Sequence, residues 1–62
     1  MEEMINRIYI NHKTQNLYNV LETCINATNE QDGQVMVIYR RCKGRELFCR
    51  EINEFNIKFI RT

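Results

Sequence analysis

The sequence has no serine, proline or tryptophan, and it contains a single histidine, His12, and a single aspartate. Nucleophilic and acid–base catalysis need reactive groups held within hydrogen-bond reach of one another, and His12 with a cysteine is the only dyad that this composition offers. A glycine-rich phosphate loop is excluded as well, because Gly33 and Gly44 stand alone. We therefore interpret His12 as an exposed turn residue and expect a protein that is not an enzyme and has no cofactor.

The chain also lacks a long apolar run and a basic N-terminal segment. No stretch approaches the roughly 18 apolar residues of a membrane helix. Residues 1–3 are acidic where a secretory signal would be basic. We expect no membrane association and a location in the cytoplasm of a bacterial cell or of a phage-infected host.

The three cysteines have neither C-x-x-C spacing nor an even number. This pattern indicates reduced thiols in a cytoplasm rather than a disulfide framework. A zinc site formed by the cysteines and His12 is disfavoured, because no two of these residues have the close spacing of a zinc knuckle. We expect no bound metal and three reduced thiols that are buried or half-buried: Cys24, Cys42 and Cys49.

The composition is that of one small folded domain, with 44% apolar and 27% charged residues. A chain of 62 residues predicts a single domain over 1–62, with 1–6 as an N-terminal extension, and excludes a large substrate cavity. The eight asparagines and eight isoleucines indicate an AT-rich coding sequence, which points to a phage or a low-GC bacterium.

Alternating apolar residues and turn signals predict an all-β protein with five short strands. The predicted strands are 7–11, 17–25, 34–42, 45–51 and 55–61, with a short turn at 51–54 before the last one. Imperfect alternation at Val20-Leu21 predicts a β-bulge in the second strand. An open sheet of this size would leave its edges and one apolar face uncovered, so we expect a small five-stranded SH3-like barrel with short turns.

Lys43-Gly44 predicts a two-residue hairpin loop between the third and fourth strands. This loop places Tyr39 opposite Phe48 and Arg41 opposite Glu46, and both pairs support the register. The same register pairs Ile38 with Cys49 and Arg40 with Leu47. The large apolar residues of the alternating faces give the predicted core: Ile8 or Tyr9, Tyr18, Val20, Val37, Tyr39, Phe48, Ile52, Phe55 and Ile57.

These motifs resemble a family of small bacterial and phage proteins, a numbered domain of unknown function, with the pattern Y-x-H-x-K, Y-x-V-L, M-V-x-Y-R and L-W-x-R-P-L-x-x-F. The matching positions are Tyr9, His12, Lys13, 18–21, 36–40, 47–52 and Phe55. The chain departs from the pattern where Phe48 replaces tryptophan, where Glu51 replaces proline, and where His12 comes one position late. The resemblance implies an SH3-like barrel and no assigned activity.

The net charge of +1 hides an uneven distribution, because residues 40–50 contain five basic residues and one acid. We expect a non-catalytic binding protein whose partner is a protein, such as a phage accessory protein that acts on a host protein. The alternative is a small nucleic-acid-binding barrel that uses the basic hairpin 40–50, with aromatic side chains on which bases stack. The oligomeric state stays open. The candidate binding residues are Arg40, Lys43, Arg45, Arg50, Tyr39 and Phe48.

Overall fold

Strands make up most of the regular secondary structure in the computed structural model, which describes residues 2–30 and 32–62. A 3-10 helix at Glu2–Met4 precedes the first strand, and one α-helix separates the last two strands. The strands and the helix are β1 (Ile8–Asn11), β2 (Leu17–Ile25), β3 (Val35–Arg41), β4 (Leu47–Glu51), α1 (Ile52–Lys58) and β5 (Phe59–Arg61).

The five strands form one antiparallel sheet in the order β4-β3-β2-β1-β5. Each consecutive pair from β1 to β4 is hydrogen-bonded, and β5 returns to pair with β1. The described residues show no pairing between β4 and β5, so the sheet is open and the closed barrel predicted above is not confirmed. The helix α1 connects these two edge strands and packs against β3, β4 and β5.

Aromatic side chains show how strongly the open sheet curls. Tyr39 of β3 and Phe59 of β5 lie three strands apart, which in a flat sheet corresponds to roughly 14 Å. Their ring centroids are 5.2 Å apart. Tyr18 of β2 likewise contacts both Phe48 of β4, at 6.3 Å, and Phe59, at 5.2 Å. The sheet therefore wraps around one aromatic core.

The predicted bulge in β2 is confirmed. The register between β2 and β3 shifts between Val20, which pairs with Tyr39, and Glu22, which pairs with Ile38. Leu21 is the extra residue. Because side chains alternate along a strand, this one insertion lets Val20 and Thr23 share the core face even though they are three positions apart.

The predicted register of the second hairpin is also confirmed, with Tyr39 opposite Phe48, Ile38 opposite Cys49 and Arg40 opposite Leu47. The aromatic rings of the first pair are stacked, with centroids 5.6 Å apart and planes inclined by 29°. Cross-strand contacts of this kind stabilise a register locally.

The loop of this hairpin differs from the prediction. Residues 42–46 connect the two strands, and the Gly44 amide donates to the Arg41 carbonyl at 3.0 Å. Gly44 does not adopt the positive φ of a type I′ loop. A Cβ added at Gly44 would lie only 3.2 Å from the Cβ of Arg41, so the close approach of the chain favours glycine there.

The predicted pairing of Arg41 with Glu46 is wrong. The ladder between β3 and β4 ends at Arg40 and Leu47, and Arg41 pairs with Tyr18 on β2.

The predicted last strand is largely helical. Glu51 caps α1, because its carboxylate accepts from the Asn53 amide at 3.0 Å and from the Glu54 amide at 3.1 Å. Helical geometry directs Phe55 into the core and leaves Ile57 74% exposed. Only Phe59–Arg61 form the strand.

The hydrophobic core consists of Met4, Tyr9, Tyr18, Val20, Val37, Tyr39, Phe55 and Phe59. Phe48 and Ile52 are partly buried and pack against it, whereas Ile57 was wrongly predicted to be a core residue. Met4 and Phe59 are core residues that the prediction missed.

The N-terminal residues belong to the domain, because Met4 is buried and the Asn6 amide donates to the Val20 carbonyl at 2.8 Å. Residues 2–6 of the predicted N-terminal extension therefore pack as part of the single domain, and Met1 lies outside the described residues. Within 2–30 and 32–62, none of the helices has the length and apolar character that crossing a membrane requires.

Candidate binding surface

The connection between β3 and β4 presents the densest positive charge. Arg40 and Arg41 come at the end of β3 and lie on opposite faces of the sheet, since side chains alternate along a strand. Lys43 and Arg45 follow in the connection, and all four side chains are exposed. We call these four residues the basic loop: Arg40, Arg41, Lys43 and Arg45.

The basic loop lies beside the β1–β2 turn, because the first and third connections of an antiparallel meander occur at the same end of the sheet. The Cys42 amide donates to the Leu17 carbonyl at 3.1 Å and joins the two segments. The turn itself is fixed by Asn11, whose side-chain oxygen accepts from the amides of Lys13, at 2.9 Å, and Thr14, at 3.0 Å. Lys13 is thereby held at the same end of the molecule.

No carboxylate neutralises the basic loop within the described parts of the chain. The ion pair between side chains that the structure shows joins Arg50 to Glu54, and neither residue belongs to the basic loop. Glu46 is the one acid within 40–46, and neither it nor any cation of the basic loop forms a side-chain hydrogen bond among the described residues. These four cations are therefore available to a binding partner.

Two shallow cavities flank Arg41. The first has a volume of about 350 Å³ and is lined by residues 15–17 and 41–43. The second, of about 380 Å³, is lined by Arg41, Gly44, Arg45, Glu46 and Phe48. Each cavity combines cationic and apolar side chains.

Exposed leucines border the same surface. Leu17, in the first cavity, is 46% exposed, and Leu47, which pairs with Arg40, is 61% exposed. The surface around the basic loop is therefore partly apolar.

Arg50 was expected to be a free charge and is a structural residue instead. Its Nε donates to the hydroxyl of Tyr39 at 3.3 Å, and its guanidinium pairs with Glu54. The hydrogen bond to Tyr39 is the main cause that raises the pKa of Arg50 above its ordinary value, with a smaller contribution from Glu54. Arg50 thus ties β4 to β3 and to α1.

The two aromatic candidates are placed differently. Tyr39 is 4% exposed and its ring contacts those of Tyr18, Phe48, Phe55 and Phe59, which confirms its predicted place in the core and leaves no exposed ring face for base stacking. Phe48 is half-buried and lines the second cavity. It therefore belongs to the surface as the side of a cavity rather than as a flat platform.

The prediction missed Arg41, because the expected two-residue loop paired it with Glu46. It also missed Lys13, although a meander of antiparallel strands places the first and third turns together. Lys13 could have been found by this argument, whereas Arg41 required the longer connection that the structure shows.

The residues considered for chemistry do not come together. His12 is exposed in the β1–β2 turn. Contrary to the expectation of burial, the three cysteines are exposed, and their thiols are unpaired: Cys24, Cys42 and Cys49. Across 2–30 and 32–62, His, Cys, Asp and Glu side chains form no group of three that could bind a metal ion.

Comparisons with known proteins place the chain in no group: no family model matches it, and neither a curated protein nor a solved structure does.

Proposed function

We propose that this chain is a non-catalytic binding protein that engages an acidic surface of a partner protein through the basic loop. The observation that carries the proposal is the set of four exposed cations without carboxylate partners beside two shallow cavities. Arginine is enriched in protein interfaces because its planar fork pairs with carboxylates and its stem packs on apolar groups.

The apolar neighbours of these cations favour a protein partner over a nucleic acid. Leu17 and Leu47 are exposed beside the basic loop, and apolar side chains contribute to the centre of a protein interface. Binding of single strands relies on exposed aromatic side chains, and Tyr39 is buried. Nucleic-acid binding therefore becomes an outcome of the test below.

The test compares two variants of equal net charge. Lys43→Glu with Arg45→Glu reverses charge in the basic loop, and Arg7→Glu with Arg61→Glu makes the same change of charge at exposed positions outside it. Tagged wild-type protein captures a partner from bacterial lysate, and the affinities of all three proteins for the purified partner are then measured. We expect loss of binding in the first variant and wild-type affinity in the second.

Equal affinity of both variants would contradict the proposal, provided that circular dichroism shows both to be folded. Recovery of nucleic acid in place of a protein, with affinity that falls steeply as salt rises, would contradict it in favour of the alternative. A partner bound through mixed charged and apolar contacts loses affinity less steeply.

The proposal includes an SH3-like barrel in a bacterial or phage protein that works in the cytoplasm. The strand order, the position of α1 before β5 and the contacts between aromatic residues of distant strands support such a barrel. Three exposed, unpaired thiols support a reducing compartment, where such thiols persist.

A further inference from the structure

A second group of cations lines a cleft on the other side of the β1–β2 turn. This cleft has a volume of about 190 Å³. Its lining comes from the turn, from β4 and from the last residue of α1: Asn11, His12, Lys13, Thr14, Arg50 and Lys58. No carboxylate side chain is among these residues.

Hydrogen bonds hold the turn against the end of α1, and the ion pair of Arg50 with Glu54 joins β4 to the same helix. The His12 amide donates to the Lys58 carbonyl at 3.0 Å, which fixes the end of α1 against the turn. The side-chain oxygen of Asn11 accepts from two amides of the turn and holds its conformation. The cations are therefore brought together by the fold and not by flexible side chains alone.

Arg50 is oriented before any ligand arrives. Its Nε–H is directed at Tyr39 and one N–H of its Nη1 at Glu54. A guanidinium has five N–H donors, so the remaining ones are free to bind an acceptor in the cleft. Lys13 and Lys58 add ammonium donors, and Thr14 adds a hydroxyl.

The size of the cleft limits the ligand. Sites for drug-sized ligands are larger, at about 300–1,000 Å³. A compact anion with several acceptor oxygens fits this volume and this number of donors.

We propose that the cleft lined by His12, Lys13, Arg50 and Lys58 binds a phosphoryl group. A tetrahedral dianion accepts hydrogen bonds in several directions, whereas a carboxylate presents two oxygens in one plane. Charge-assisted bonds of arginine and lysine to phosphate are among the stronger ones in proteins. The cleft does not depend on the basic loop, and its test is separate from that of the proposed function.

The experiment is a titration of the full chain with inorganic phosphate, at constant ionic strength in chloride, followed by the amide signals in NMR spectra. We expect saturable shifts concentrated at residues 11–14 and at Arg50 and Lys58. Lys13→Gln and Lys58→Gln are each expected to weaken phosphate binding at least tenfold. Lys43→Gln with Arg45→Gln, the matched control in the basic loop, is expected to stay within twofold of wild type.

Glu54→Gln adds a test by gain of binding, which a misfolded variant cannot mimic. This substitution removes the carboxylate that competes for Arg50, while Tyr39 still holds the Nε atom. We expect several-fold tighter phosphate binding. Unchanged or weaker binding would place the anion away from Arg50 and overturn the assignment.

Two further ligands test whether the cleft prefers a phosphoryl group to a carboxylate, and whether that group is free or carried by a macromolecule. Acetate at the same concentrations is expected not to compete, and competition by acetate as strong as by phosphate would overturn the choice of a phosphoryl group. Tighter binding of a phosphoserine peptide than of inorganic phosphate would support a group carried by a macromolecule, and the reverse order would support the free anion. Shifts that never saturate, or equal weakening in the basic-loop control, would show only general screening and overturn the proposal.

Discussion

Phe55 is fully buried at the centre of the aromatic core. Its ring lies 5.1 Å from those of Tyr9 and Tyr39, and it stacks on Phe59 with centroids 4.3 Å apart. Removal of such a side chain loses transfer free energy and leaves a cavity. In a domain this small, no second core compensates for the loss.

We predict that Phe55→Ala lowers the free energy of unfolding by about 3–5 kcal/mol. Ile57→Ala, two positions away on the same helix, is expected to change it by less than about 0.5 kcal/mol, because Ile57 is 74% exposed. Chemical denaturation followed by circular dichroism measures both values, and Phe55→Leu gives a milder version if the alanine variant does not fold. Similar losses at the two positions would contradict the helical assignment of this segment.

The Tyr39 hydroxyl is the polar contact between the core and the surface network of Arg50 and Glu54. We predict that Tyr39→Phe costs about 0.5–1.5 kcal/mol of stability, since it removes one hydrogen bond and keeps the packing of the ring. Tyr9→Phe is the control, because Tyr9 forms no side-chain hydrogen bond among the described residues. The midpoint of thermal denaturation should therefore be lower for Tyr39→Phe than for Tyr9→Phe. Equal midpoints would show that the Tyr39–Arg50 hydrogen bond does not contribute to stability.

At the level of the elements, local signals were enough for the strands from β1 to β4. Alternation placed Val37 and Tyr39 on one face, and the break in alternation at Val20-Leu21 located the bulge. The register of the second hairpin was derived from a two-residue loop and supported by the pairing of Tyr39 with Phe48. It is correct although the connection is longer than predicted. Strand faces, bulges and hairpin register depend on residues close in the sequence, so they can be predicted without knowledge of the tertiary structure.

The helix α1 was missed because two periodicities fit the same short segment. A strand places Phe55, Ile57 and Phe59 on one face, whereas a helix places Ile52, Phe55 and Phe59 there. Both patterns share Phe55 and Phe59, so hydrophobicity alone does not decide between them. Glu51, which caps the helix by accepting from two backbone amides, was a local signal that the strand prediction did not use.

We predict that Glu51→Ala lowers the free energy of unfolding by about 0.5–2 kcal/mol, because two backbone amides at the start of α1 lose their acceptor. Glu51→Asp is expected to retain most of the stability, since aspartate is a favourable capping residue. Circular dichroism with chemical denaturation measures the effect. A weaker helical signal and a lower denaturation midpoint in Glu51→Ala would identify Glu51 as the cap. Equal stability of both variants and wild type would contradict the capping role.

The candidate sites could be predicted only in part, because they are assembled from distant segments. The basic loop lies within one hairpin, and three of its four residues were identified. The cleft combines the β1–β2 turn with Arg50 and Lys58, and the helical end that brings Lys58 there was not foreseen. A site of this kind depends on the topology of the whole sheet and not on spacing in the sequence.

On the scale of the whole molecule, charge is separated along the strands. The end that holds the basic loop also holds Lys13 and Lys58. The second connection of the meander lies at the other end and carries Glu30 and Asp32, and Glu51 pairs with Met36 near the same end. The longest dimension is 33 Å, several times the Debye length of about 8 Å at physiological salt. A partner near the basic end therefore responds to the local charge and not to the net charge of +1.

We predict that this separation is measurable without any partner. The wild-type protein should be retained on a sulfonate cation exchanger at pH 7.5, although its net charge is only +1. Both double variants, Lys43→Glu with Arg45→Glu and Arg7→Glu with Arg61→Glu, have a net charge of −3, because each replaces two cations by two anions (+1 − 4). If the net charge governed adsorption, both variants would elute at the same salt concentration.

Because adsorption follows the local field, we expect the variant with an intact basic loop to elute at clearly higher salt than the variant without it. Identical elution of the two folded variants would show that the charges of the basic loop do not act as one surface.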